Sequence, residues 1–358
     1  MNPGWEEFLK AQAESQGVNL ENNQHDSLHS QKASADEPML ADLSGYGLIR
    51  VSGEDAETFL QNQLTNDIRE VTETSHQISA WCSPKGRIIA TFRIFRRKDD
   101  FYLCVAADLL EHVIKKLGMY VMMSKVSIED ASDSLVYFGF SGENAVSLLQ
   151  NAVAAQSGLD STLANQAGQG INHQSFSILC IDGSAPGAIP GTMPRFEIYA
   201  EAAEGKQLLQ ALSQTARIFP QCAWDYHNIL AGIPVIAKAS SEKWIPQMVN
   251  YTAIGGVSFK KGCYPGQEVV ARLNYLGKTR RRMYHLLVDT DKLPAINDAI
   301  ASDNDKEAGK ILNAVINPEN KVEALAVLKI AEADKPLSLT AAQEAQITLL
   351  NLPYSLEE

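Results

Sequence analysis

No Cys-x-x-Cys pair occurs in these 358 residues, which removes the usual local frame for structural zinc or a resident thiolate-held cluster. Cysteine itself is sparse. The five, Cys82, Cys104, Cys180, Cys222 and Cys263, are odd in number and scattered, so they form no disulfide framework. No apolar run approaches the ~18 residues that span a bilayer. Met1 to Glu7 carry acids and no basic-plus-apolar leader pattern. The chain therefore reads as cytoplasmic and reduced, with no membrane partner. Nucleotide motifs are missing too. Gly45-x-Gly47 has Arg50 where a third glycine belongs, and Gly256 to Gly262 never gives the order of a P-loop. Neither GxSxG nor HExxH appears. Positive charge is also in deficit. A net charge of −12 argues against stable direct binding of nucleic acid, whose phosphates need clustered cations.

What is present describes a globular protein of more than one domain. Hydrophobic residues at 45% and charged residues at 21% are ordinary for a soluble fold. Domains of roughly 150 residues imply two or three of them. Residues 1–38 are polar, with apolar residues mainly at Trp5 to Leu9, and are expected to be a disordered extension. His25 and His29 lie one helical turn apart there, a spacing attributed to chance. Residues 39–282 alternate strands and helices. Ser52 is positioned to cap a helix running to Asp67, and Ile88, Ala90, Phe92 and Ile94 share one face of a strand. A helix from Asp108 is followed by a strand at 121–128. The weakly patterned stretch 154–174 separates two halves. Residues 283–358 are mainly β, short strands parted by turn residues, as in a small barrel. The fold class is α+β with an all-β C-terminal module.

The chemistry concentrates in Lys260-Lys261-Gly262-Cys263-Tyr264-Pro265-Gly266-Gln267-Glu268. A thiol acts as nucleophile or metal ligand only as thiolate, and neighbouring positive charge favours that form. On this reading Lys260 and Lys261 promote the Cys263 thiolate, while Gln267 and Glu268 orient a ligand or partner. Gly262 and Gly266 permit backbone shapes and close approaches that a side chain forbids. The alternative is a tight turn around a small buried cysteine. Lys260, Lys261, Arg272, Lys278 and Arg280 to Arg282 also make this the one basic interval of an acidic chain, either a solvated loop or the seat of an anionic ligand.

Phe259 to Arg272 as a whole resembles the signature of YgfZ-type folate-binding proteins, bacterial relatives of the glycine-cleavage aminomethyltransferase (T-protein). The resemblance extends through Phe59-Leu60-Gln61-Asn62-Gln63-Leu64-Thr65-Asn66-Asp67, Ser124-Lys125-Val126, Ala231 to Ile236, Ile245-Pro246-Gln247, Ile254 to Ser258 and Leu352 to Glu358. It covers roughly residues 42–358 and implies an aminomethyltransferase-like fold of three subdomains around a central folate pocket. It further implies tetrahydrofolate as ligand, carrying one or several glutamates, and a role in assembling or repairing iron–sulfur proteins such as tRNA-modifying radical enzymes. Cys263 would be the key residue, with Lys261 and Glu268 beside it. By the same resemblance Tyr46 and Trp224 match folate-contacting aromatics. Gly262, Tyr264, Gly266, Gln267 and Arg272 would complete the ligand's surroundings.

Two positions depart from that pattern. Leu230 stands where relatives carry an acid, so the pterin loses a carboxylate. Ala90-Thr91 stands where T-proteins place a catalytic aspartate, so no carboxylate is there to manage the proton of aminomethyl transfer. A non-enzymatic folate-dependent factor is the leading reading. A folate-dependent one-carbon transferase is the alternative.

Overall fold

The computed structural model describes residues 2–20, 38–157, 166–182, 193–340, 342 and 344–356. In chain order the elements are α1 (Pro3–Ser15), β1 (Met39–Asp42), β2 (Tyr46–Ser52), α2 (Ala56–Gln63), β3 (His76–Cys82), β4 (Ile88–Arg97) and β5 (Asp100–Ala106). Next come α3 (Leu110–Gly118), β6 (Ser127–Asp130), β7 (Val136–Ser141), α4 (Ala145–Ser157), β8 (Gly170–Asn172), β9 (Phe176–Asp182), β10 (Arg195–Ala200) and α5 (Ala202–Leu212). They are followed by β11 (Arg217–Phe219), α6 (Gln221–Leu230) and α7 (Gln267–Leu276). The last elements are β12 (Arg281–Val288), β13 (Ala299–Ser302), β14 (Asp305–Ile316), β15 (Val322–Lys329), β16 (Leu337–Leu339) and β17 (Ile347–Leu350). Three sheets result, in the orders β11-β1-β7-β10-β9-β8, β3-β4-β5-β2-β6 and β16-β13-β14-β15-β12-β17.

The chain divides into two compact units that do not follow its linear order. One comprises 1–56, 69–77 and 93–224, the other 57–68, 78–92 and 225–358.

In the first unit, the sheet containing β7 and β10 is covered by helices. Its core joins Phe138, Phe140, Phe196 and Ile198 to Leu149 of α4 and to Leu208 and Leu212 of α5. Gly205 lets α5 settle closely, since a Cβ there would lie 2.2 Å from Val136. The N-terminal extension corrects the expectation of disorder over residues 2–20. Trp5, Leu9 and Ala13 recur at helical spacing and are all buried in that same core, Trp5 stacking on Phe138 at 5.7 Å. Gln16 fixes the end of α1, donating to the carbonyls of Ser213 and Ala216 and accepting from the Ile218 amide. The polar average of the segment hid one apolar stripe. His25 and His29 lie outside the described residues.

Other expectations shift for identifiable reasons. The helix after Ser52 begins only at Ala56, because Gly53 takes a positive φ of 112°. Asp55 accepts from the Lys125 amide instead of supporting a cap. The strand expected over 121–128 is confined to Ser127–Asp130. Ser124 closes a turn onto the Val121 carbonyl, leaving Met122 and Met123 exposed.

In the second unit, the antiparallel C-terminal strands make a curled half-barrel sheet around Leu286, Ile300, Ile311, Ala326, Leu328 and Leu339. A bulge at Leu312 shifts the register between Ile311 and Asn313, and the Asn313 side chain reaches outside the sheet. Its amide pairs with the backbone of Val235, accepting from the N–H and donating to the carbonyl. Inside the sheet His285 is hydrogen-bonded to Glu323, which also accepts from Asn317.

If α1 is core, Trp5→Ala should destabilise the protein by about 3–5 kcal/mol, as large core truncations do. Chemical denaturation checks this. A change within ~0.5 kcal/mol would return the helix to the status of an accessory.

Candidate functional site

The Cys263 turn is assembled in the second unit by three interlocking devices. The first is Gly266, the N-cap of α7, at φ 82°. A Cβ on Gly266 would lie 2.4 Å from the Ser83 carbonyl oxygen and 2.7 Å from Gly86. Gly86 has a positive φ of its own and closes its turn by donating to the Ser83 carbonyl. Two glycine turns thus touch backbone to backbone, and only glycine allows it. Gln267 donates its amide to the Tyr264 carbonyl, and its side chain reaches the Gly262 carbonyl at 3.5 Å.

Lys261 is the second device. Its Nζ is buried and donates to the carbonyls of Gln61 (2.6 Å), Leu64 (2.6 Å) and Asn66 (3.0 Å). These follow the last turn of α2, where a cation answers the helix's negative end. Lys261 therefore anchors the motif. The ammonium also lies 5.4 Å from the Tyr264 ring centroid.

The third device ties the segment around Thr65 to that around Gly255. The Thr65 hydroxyl donates to the Gly256 carbonyl, its carbonyl accepts from Ser258, and Asn66 donates to the carbonyls of Gly255 and Ile78. Farther along, the Tyr354 hydroxyl donates to the Gly232 carbonyl at 2.8 Å, closing the C-terminal segment over the Ala231-Gly232 turn. Burial pushes its phenol up to about 12.

Against this rigid background Gly262 faces open space and Cys263 is exposed, unlike the buried Cys82, Cys104 and Cys180. Tyr264 is buried, and burial, then the neighbouring Cys82, pushes its phenol upward. Its hydroxyl has no hydrogen-bond partner among the described residues, and neither do Ser83 Oγ nor Trp244 Nε1 in the same unit. Glu268 and Arg272 point outward on α7 as exposed residues. The reading of a small buried cysteine in a tight turn is thereby set aside for Cys263.

Ala90 and Thr91 lie in the same unit. Ala90 is buried, and the Thr91 hydroxyl accepts from the Ile236 amide, holding the Ala231 to Ile236 segment against β4. Leu230 ends α6 half-buried.

Tyr46 and Trp224 belong to the first unit. Tyr46 is half-buried, and its carbonyl accepts from the Tyr137 hydroxyl. Trp224 is only 1% exposed. Its ring edge abuts Gly139, where a Cβ would come within 2.5 Å, and the Arg195 guanidinium carbon lies 5.1 Å from the ring centroid. A flat ligand would have to displace Arg195 to stack on that face.

The sequence reading overlooked a buried ionisable network in this unit. Arg93 Nε donates to Glu197 at 3.1 Å, and the Tyr199 hydroxyl donates to the other Glu197 oxygen at 2.8 Å. Cys104 adjoins Tyr199, and burial foremost pushes its thiol up to about 12. His76 Nε2 bonds the Cys180 carbonyl, and burial, then Arg93, lowers its pKa to about 3. A carboxylate held between a guanidinium and a phenol accepts directional N–H donors. The available signal was Glu197 and Tyr199 alternating inside an otherwise apolar strand.

With the geometry in place, comparison with known proteins is direct. The GCVT N-terminal domain family matches residues 21–220. The tRNA-modifying protein YgfZ of Enterobacter sp. (strain 638) is 32% identical over 331 residues, covering 91% of this chain and 96% of its own. The protein of the same name from Shigella boydii serotype 4 is 32% identical over 332 residues, with the same coverage. The chain belongs to the YgfZ family. The aminomethyltransferase T of the Bartonella henselae glycine cleavage system shares the fold at a TM-score of 0.66 and 16% identity, over 89% of this chain and 86% of its own. The fold of this YgfZ-family chain is therefore that of the aminomethyltransferases, as the motifs implied. No helix among its described residues is long and apolar enough to cross a membrane.

Two outcomes follow. Lys261→Met should destabilise the protein by roughly 3 kcal/mol, because three carbonyls lose a charged donor, whereas exposed Cys263→Ser should change stability by less than about 0.5 kcal/mol. Urea titrations separate the two, and equal effects would mean Lys261 is no anchor. His76, neutral in both states above pH 6.5, remains so in the folded chain down to about 3. Between those values the unfolded chain takes up the proton, so stability is lost as pH is lowered, by up to about 1.4 kcal/mol per unit from this group. His76→Gln should flatten that slope, and an unaltered pH–stability curve would contradict the assignment.

Proposed function

We propose that this YgfZ-family chain is a cytoplasmic tetrahydrofolate-binding factor that supports assembly or repair of iron–sulfur proteins, tRNA-modifying radical enzymes among them, through Cys263. The observation that carries the reading is the presentation of that thiol. Gly266, Gly86 and Lys261 are fixed by backbone contacts, while Gly262 and Cys263 stand in the open at the head of the turn. A turn anchored on both sides of an exposed thiol suits a thiol offered to another molecule.

Tetrahydrofolate suits either of two groups of residues, one in each unit. Glu197, with Arg93 and Tyr199, is a buried carboxylate of the kind that accepts the paired N–H donors of a pterin. Tyr264 and Ser83 carry buried hydroxyls without protein partners, which a polar ligand would satisfy. The exposed Arg272 offers a cation to the glutamate tail. Bound folate would supply a one-carbon carrier, and the chain's residues would bind and orient it. A factor is favoured over an aminomethyltransferase because the catalytic-acid position holds Ala90 and Thr91, with the Thr91 hydroxyl engaged by Ile236.

Tetrahydrofolate titrated into the purified protein should bind saturably, with affinity reduced about tenfold or more in Glu197→Gln, the scale of one lost charged hydrogen bond. In cells lacking the native protein, folded Cys263→Ser should fail to restore iron–sulfur enzyme activity. Absence of pteridine binding removes the folate half of the proposal, and full rescue by Cys263→Ser removes the thiol half.

A further inference from the structure

Eight large hydrophobic residues are strongly exposed among the described residues, and three belong to α7, the helix that follows the Cys263 turn: Val269 (41%), Tyr275 (66%) and Leu276 (85%), while Ile330 (37%) directly follows β15. Val269 and Leu276, at i and i+7, lie along one exposed stripe of α7, and Tyr275 flanks it about a third of a turn away, with Val270 buried on the inner side. Tyr275 is held edge-on by Phe259, ring centroids 5.8 Å apart. Ile330 adjoins the helix's exit, donating its amide to the Arg280 carbonyl.

Around this apolar strip the charge is one-sided. Lys260, Arg272, Lys278 and Arg280 are all exposed, and Glu268 is the only acid from Phe259 to Arg282. The whole chain, by contrast, carries −12. An apolar centre with an aromatic anchor and a cationic rim is the anatomy of a protein interface whose partner brings apolar side chains and an acidic border. Nucleic acid fits less well. It would use the cations and one ring but leave Leu276 and Val269 without counterparts.

We infer that the outer face of α7 is a docking surface for an acidic, apolar-centred segment of a client protein, seated so that the client meets Cys263 a few residues upstream. This rests on the reading of the chain as a factor for iron–sulfur proteins and adds the surface by which it holds them.

The test uses the full chain and, as immobilised probe, a purified tRNA-modifying radical iron–sulfur enzyme. Lys278→Glu and Leu276→Asp, both at exposed positions, should each weaken binding about tenfold or more. Wild-type binding should also weaken as salt is raised. A photoreactive benzoylphenylalanine at position 275 should cross-link to a peptide of the enzyme rich in Asp and Glu. Unchanged affinity in both variants overturns the inference, and so does cross-linking only to RNA or only to a second copy of the chain. Tetrahydrofolate affinity, measured on Leu276→Asp, should stay within about twofold of wild type. If even the wild type binds no folate, that reading falls separately, while the docking face is judged by the affinity differences alone.

Discussion

One buried ammonium joins two distant parts of the sequence. Lys261 Nζ answers three carbonyls at the end of α2, and the motif turn inherits its position from that attachment. A buried charge is tolerated only when its donors are met, so the end of α2 and the motif must form together or not at all. The contact between Gly266 and Gly86 then sets the direction in which α7 leaves the turn. Cys263 is exposed as a consequence of these two constraints, without a partner of its own.

Much of this was legible in the residues. The alternation of Ile88, Ala90, Phe92 and Ile94 gave β4, and the turn residues after Met283 gave the C-terminal sheet. The glycines flanking Cys263 indicated a constrained turn. What the sequence concealed was direction. The anchoring of Lys261 left no sequence trace, because the carbonyls at the end of a helix cannot be read from residue types. Trp224 read as a ligand platform. Its face lies against Arg195 because Gly139 on β7 gives its ring room, a coincidence of positions far apart in the chain.

The N-terminal segment illustrates the opposite failure. Averaging composition over residues 1–38 diluted three apolar residues at helical spacing. The Arg93–Glu197–Tyr199 network was missed for a related reason: each member sits in a strand that reads as ordinary, and β4 and β10 belong to different sheets, so nothing in the strand pattern brings them together.

The docking of α1 also bears on how the chain is made. Gln16 and Ile218, hydrogen-bonded in the folded protein, are 202 positions apart. Synthesis at ~5–20 residues per second separates their appearance by on the order of ten seconds or more. Throughout that interval the face bearing Trp5 and Leu9 has no core to enter. Contacts of such long range form slowly and leave apolar surface uncovered meanwhile. The apolar stripe of α1 is thus among the last surfaces of the first unit to find its full set of neighbours.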